Sequence, residues 1–279
     1  MRINSVNYYQ NNYYSSLSFG VNLESKKLRF KKKDFFVKIK GYGKNSDWAK
    51  EIINTADTTV QFIRENKDFE KILRSVTLGV KKANQLTSEL KKQLNTGVLR
   101  TKREDWQNVD DECILITPYG KRDSIYRKYR DRFDNIFNYP LKNPFPDKFS
   151  LTRPWIDDYG KILFHPDSEY INASLDMVRD LYNDLHKNYI EKEATKMDLN
   201  DINNKIAKIR WILAHSTPWK RGSDAISNTF IRSIYKAMGI KTSPLKKGIS
   251  LDLEAYCTNL TDYQTKFETY FVKKPYVVE

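Results

Sequence analysis

Two apolar stripes at helical spacing, set either side of a short Pro- and Gly-bearing loop, constrain this chain more than any other feature. Ile202, Ile206, Ile209 and Leu213 fall on one face of a helix predicted over 198–215, with Asp198 placed to cap it. Ile226, Phe230, Ile234 and Met238 recur at i, i+4, i+8 and i+12 in a second helix, predicted from about Ser223 to Met238 and closed by Gly239. Pro218 has no amide hydrogen and its ring clashes with the preceding turn, so the first helix stops near His215. The loop 216–222 therefore feeds a helix N-terminus.

The same periodicity predicts further helices. Ser46-Asp47 reads as an N-cap for a helix through about Asn66. Phe69, Ile72, Leu73, Val76, Val80, Leu86, Leu90 and Leu94 mark a helix over 67–95, with Gly79 expected to bend or break it. Residues 121–139 are predicted to form a basic helix with Ile125, Tyr129, Phe133 and Ile136 along one side. Leu175, Val178, Leu181, Tyr182 and Leu185 line a helix over 173–195, in which His186 is assigned packing or surface work.

Strand signals are weaker. In 26–40, Leu28, Phe30, Phe36 and Ile39 recur near every second residue among lysines, which predicts two short strands joined at Lys32–Asp34. Such a basic hairpin could grip a nucleic-acid backbone, or its lysines could simply protect a sheet edge from aggregation. The apolar run Cys113–Ile116, stopped by Pro118, reads as a short buried strand after a polar loop over 96–112. The fold class is thus α+β and predominantly α-helical, with a small basic β-hairpin near the N-terminus and a helical C-terminal domain. The expected organisation is a disordered lead over 1–24, hairpin plus helical region over 25–139, a connector over 140–168 carrying five prolines, and the helical domain over 169–279.

Composition removes several function classes. Cys113 and Cys257 lie far apart with no Cys-x-x-Cys, and His165, His186 and His215 share no tight spacing, which argues against a disulfide framework and a zinc site. No apolar run approaches the ~18 residues of a membrane span, and the N-terminus carries no hydrophobic export segment. The expected location is cytoplasmic, or a host cell reached by a non-Sec route. The Asn/Ser-rich lead resembles those of bacterial proteins delivered by specialised secretion systems; the alternative reading is an untidy terminus. Forty-nine Lys and Arg against 35 Asp and Glu give a net charge of +14. That surface allows nucleic acid, an anionic membrane face, a phosphorylated ligand or an acidic protein as partner, or serves solubility alone.

The candidate site is Trp211 to Ile226. A helix N-terminus offers unpaired N–H groups and partial positive charge. Gly222 lets a ligand approach the backbone, Ser223 can cap, and Lys220 and Arg221 add two cations, which together suit a phosphate or carboxylate. His215 can serve the same pocket as an acid or base, with Trp211 and Trp219 as walls for a ring. Read structurally, the same Pro, Gly and Ser only shape a turn and both tryptophans are core. Asp252 and Glu254 are the carboxylates nearest in sequence.

Thr217-Pro218-Trp219-Lys220-Arg221-Gly222-Ser223-Asp224-Ala225 resembles the signature loop of Fic-like (Fido superfamily) proteins, with Pro218, Trp219 and Gly222 in the matching places. The departures are Thr217 at the family's histidine, Arg221 at its magnesium-holding carboxylate, Ser223 at its asparagine and Ala225 at its arginine. The resemblance covers about 175–240. It implies a bacterial effector that transfers a group from a nucleotide- or phosphate-containing donor onto protein hydroxyls. Nucleotide is the cofactor implied; magnesium loses its carboxylate here. The alternative is a non-enzymatic basic module that binds nucleic acid or an acidic protein through Lys31–Lys33 and Arg127–Arg132.

Overall fold

The computed structural model describes residues 28–40, 43–87, 95–100, 116–121, 125–158 and 160–278. The predicted lead, most of the 96–112 loop and Cys113 to Leu115 lie outside these residues. The chain is α+β and predominantly helical, as the periodicities require. Its helices are α1 (Ser46–Arg64), α2 (Phe69–Gln85), α3 (Arg130–Asn138), α4 (Glu169–Leu185), α5 (Leu199–Ser216), α6 (Ser223–Ala237), α7 (Leu251–Tyr256) and α8 (Leu260–Phe267). Strands β1 (Ile116–Pro118), β2 (Arg153–Asp157) and β3 (Gly160–Phe164) form an antiparallel sheet in the order β1-β3-β2. Strands β4 (Ile240–Lys241) and β5 (Tyr276–Val277) form a second antiparallel pair.

Helix α5 is the axis of the molecule, packed against α4, α6, α7 and α8. Every residue from Ile209 to Ser216 is buried, so its C-terminal half has no solvent face. The stripe of Ile202, Ile206, Ile209 and Leu213 is correct but incomplete, because Trp211, Ile212 and Ala214 are covered as well. Helices α1 and α2 pack on each other and on α6. This joins Ile52, Val60 and Val76 to Phe230 and Ile234 in one core cluster.

Several local expectations change. Residues 28–40 form no hairpin. The Asp34 carboxylate accepts the Lys31 amide at 2.7 Å and closes a 3-10 turn at Lys32–Asp34, while Phe30, Phe35 and Val37 turn into the core. The strand hairpin lies instead within the proline-rich 140–168 stretch, where β2 and β3 pair from Arg153↔Phe164 to Asp157↔Gly160. Pro154 is tolerated because β2 is an edge strand. The cap of α1 is Asn45, whose Oδ1 accepts from the Asp47 and Trp48 amides at 2.8 and 2.9 Å.

Gly79 neither bends nor breaks α2. It is where α2 crosses α1, and a Cβ there would overlap the side chain of Thr55, whose hydroxyl is committed to the Glu51 carbonyl at 2.8 Å. Alanine gains about 1 kcal/mol in helix propensity over glycine, yet Gly79→Ala is expected to destabilise by about 1–3 kcal/mol through overpacking. A urea midpoint equal to or above wild type would show that the crossing relaxes freely.

Candidate functional site

The turn between α5 and α6 is built by backbone pairing as much as by its own residues. Thr217 ends α5 in the left-handed region at φ 43°, its amide bonded to the Leu213 carbonyl at 3.2 Å. Gly222 begins α6 at φ 85°, where a side chain would be strained and would crowd Thr96. Between them, segment 95–100 runs alongside. Gly97 N–H donates to Arg221 O at 3.1 Å, Lys220 N–H to Val98 O at 2.9 Å, and Arg100 N–H to Pro218 O at 2.9 Å. The Arg100 side chain then closes the end of α5. Its guanidinium, 3% exposed as a residue, donates to the carbonyls of Thr217, Pro166 and Ser216 at 2.8, 2.8 and 2.7 Å.

This turn borders a polar cavity of about 240 Å³. Lys220, Arg221, Gly222 and Ser223 line it, together with Trp219. No side chain caps α6. Ser223 is its first residue, not its cap, and its hydroxyl donates back to the Trp219 carbonyl at 3.1 Å. The first amides of α6 are therefore left to solvent or ligand.

His215 does not line the cavity. It is wholly buried among Trp211, Tyr256 and Phe149, with ring centroids at 4.3, 5.6 and 6.3 Å, and its Nε2–H donates to Ala255 O at 3.1 Å. Burial drives its pKa down to about 3, so it is neutral. Trp211 is core too, with its indole N–H on the Thr258 carbonyl at 3.0 Å.

The histidine that lines the cavity is His165, which has no motif in the sequence and arrives at the site on the loop after β3. Thr152 Oγ1 donates to His215 O and Thr217 Oγ1 to Ala214 O, each at 2.9 Å, so both hydroxyl protons are committed. Both hydroxyl oxygens then face His165 Nδ1, at 2.9 and 3.1 Å, as acceptors. Nδ1 carries the proton, and Nε2 accepts from the Thr117 hydroxyl at 2.9 Å. Burial, then the charge of Arg100, lowers the His165 pKa to about 3, fixing the neutral ring.

Two carboxylates face the same cavity, Asp224 and Asp252. Asp224 is ion-paired with Arg210, a fully buried residue of α5. Burial and the charge of Asp252 raise the Asp224 pKa, against the pull of Arg210. A quarter of that side chain is still exposed, at 24%, so water moderates the shift. Asp252 sits in the first turn of α7 and accepts from the Leu253 amide at 2.8 Å. Among the described residues, no group of three or more His, Cys, Asp or Glu is placed to hold a metal ion.

Gly222 to Ala225 also border a second cavity of about 380 Å³, walled by Trp48, Phe35, Asn45 and Asn84. Trp48 comes from α1, and its N–H is fixed on Asn84 Oδ1 at 2.7 Å.

This site lies within a stretch that has known relatives. Residues 154–274 match the family model of an avirulence protein. Over 108 residues the chain is 30% identical to avirulence protein B of Pseudomonas savastanoi pv. glycinea, covering 38% of this chain. The aligned part is 33% of that relative, so the chain spans about a third of its length. The match corrects the Fic-like reading, because the family found over this loop is the avirulence protein, not Fic. The residues that suggested Fic have local reasons: Pro218 and Trp219 pair with segment 99–100, and Gly222 supplies the left-handed start of α6. The region is effector-like by this similarity. No helix among the described residues is long and apolar enough to cross a membrane.

Proposed function

We propose that this is an effector-like protein, delivered into a host cell, that binds a nucleotide or phosphoryl ligand at the start of α6 and acts on a host protein. The avirulence-protein similarity over 154–274 supports the effector and host parts. The ligand part is carried by one observation: Lys220 and Arg221 share a cavity with the uncapped N-terminus of α6. Phosphoryl oxygens accept from the amides at Ser223 and beyond, while the two cations offset their charge. The ion pair to Arg210 restrains Asp224 from repelling the anion. The Trp48 cavity beside the same turn suits a planar ring attached to the phosphoryl group. His165 holds the Thr117 hydroxyl at the cavity wall without adding charge.

Thermal unfolding with orthophosphate, nucleoside phosphates and their sugar conjugates tests this. A ligand at ~100-fold its dissociation constant should stabilise the wild type by about 2.7 kcal/mol. Arg221→Ala removes an exposed side chain and should abolish the ligand shift while leaving the unliganded midpoint within about 0.5 kcal/mol of wild type. An unchanged shift in Arg221→Ala, or no shift with any of these ligands, would reduce the turn to architecture.

A further inference from the structure

The basic segments that stand out in the sequence meet on one surface. The Lys241 ammonium donates to the Arg29 carbonyl. Gly248 is shared: its amide donates to Lys38 O at 3.0 Å, and its carbonyl accepts the Lys128 ammonium at 2.7 Å. The loop before α7 is tied on its other side to the chain's end. Lys246 N–H bonds Tyr270 O and Val272 N–H bonds Pro244 O, each at 2.9 Å, while Lys273 N–H bonds Ser243 Oγ at 2.8 Å. Pairing of β4 with β5 sets Lys241 opposite Tyr276.

Little neutralises this face. Among the described residues, Lys31, Lys33, Lys246, Lys247 and Lys273 have no ion-pair partner. The acids nearby are already engaged: Asp57 on Lys236 at 2.7 Å, Glu268 on Lys274, and Asp34 buried beneath the surface. Lys241 records the crowding. Burial and the charges of Lys236, Lys31 and Arg232 hold its ammonium below the usual range despite Asp34. Two apolar tips stand out among the lysines, Val272 at 52% and Tyr276 at 47% exposure.

We propose that this face docks on a membrane surface bearing anionic lipid. Arg29 apart, the unpaired cations of this face are lysines, which act as hydrated point charges and suit a diffuse anionic plane; arginine forks are the better match for reading individual phosphates of nucleic acid. Exposed Val272 and Tyr276 suit the interfacial layer, where an apolar body and a polar tip are both satisfied. The proposal is independent of the cavity at α6.

The test is cosedimentation of the full chain with vesicles of phosphatidylcholine, with and without phosphatidylserine. The protein should bind only the phosphatidylserine vesicles and release as salt rises. Lys246→Ala/Lys247→Ala/Lys273→Ala should weaken that binding on the order of 100-fold. Lys142→Ala/Lys148→Ala/Lys192→Ala removes the same charge from exposed positions elsewhere and should weaken it less than about 5-fold. Equal losses in the two triples would reduce the effect to net charge and overturn the proposal. So would equal binding to pure phosphatidylcholine. Duplex RNA held by the same three lysines in preference to the vesicles would assign the face to nucleic acid instead.

Discussion

Arg100→Ala should destabilise the protein by about 3–4 kcal/mol, which for a chain of this size lowers the thermal midpoint by roughly 5–7 °C. Three buried carbonyls, of Pro166, Ser216 and Thr217, lose their donor at once. Each is an acceptor whose unpaired burial costs about 1–3 kcal/mol. Two of them close the C-terminus of α5, where a cation also complements the partial negative charge of the helix end. The countervailing effect is that removing a buried guanidinium removes its own desolvation cost. Arg100→Met separates the two, because methionine keeps much of the volume and none of the donors. If the donors matter, Met is nearly as damaging as Ala, and Arg100→Lys recovers less than half of the loss. If Met restores wild-type stability, the carbonyls find water and the assignment fails. The loss should extend to the ligand site, since segment 95–100 also holds the backbone of Pro218, Lys220 and Arg221.

How much of this was legible in the sequence follows from the range of each interaction. The helices around the site were legible because their information is local. Ile226, Phe230 and Ile234 declare a face by spacing alone, and Pro218 declares a stop. Lys220 to Ser223 stand at the cavity because the same local geometry places them at the start of α6. His215 was chosen because it is the histidine nearest in sequence to the turn. The structure turns it inward against Trp211 and Tyr256 and brings His165 to the cavity from some fifty residues earlier. No periodicity encodes that approach, which depends on β3 pairing with β1 and on the hydroxyls of Thr152 and Thr217. The hairpin expected over 26–40 failed for the opposite reason. Alternation of Phe30, Phe36 and Ile39 satisfies a strand pattern, but a single carboxylate at Asp34 closes a turn and returns Phe35 to the core.

Arg210→Met should show the largest pH-dependent effect in the molecule. Arg210 is fully buried in α5, and its guanidinium donates to Asp224 at the cavity. Without it, Asp224 stands beside Asp252 with no counterion from α5, and breaking a buried pair in this way costs about 3–5 kcal/mol; the partial exposure of Asp224 places the expected loss near the lower bound. The sign with pH is fixed by the direction of the Asp224 shift. Its folded pKa is raised above the ordinary value of 3.8 by burial and by Asp252. A carboxyl of that kind favours the folded state when protonated, so its contribution is intact below pH 3.8 and is lost as pH rises through the raised folded value. Removing Arg210 raises that value further and widens the window. Arg210→Met should therefore lie close to wild type in acid and fall away toward neutral pH. Asp224→Asn in the same background removes the charge and should recover most of the loss at neutral pH, flattening the profile. Denaturant midpoints at pH 5 and pH 7.5 for the two single variants and the double variant decide it. A deficit in Arg210→Met that is equal at both pH values and untouched by Asp224→Asn would mean that Arg210 serves packing alone. In that case the anion site at Lys220–Ser223 would face an Asp224 charge that nothing in α5 restrains.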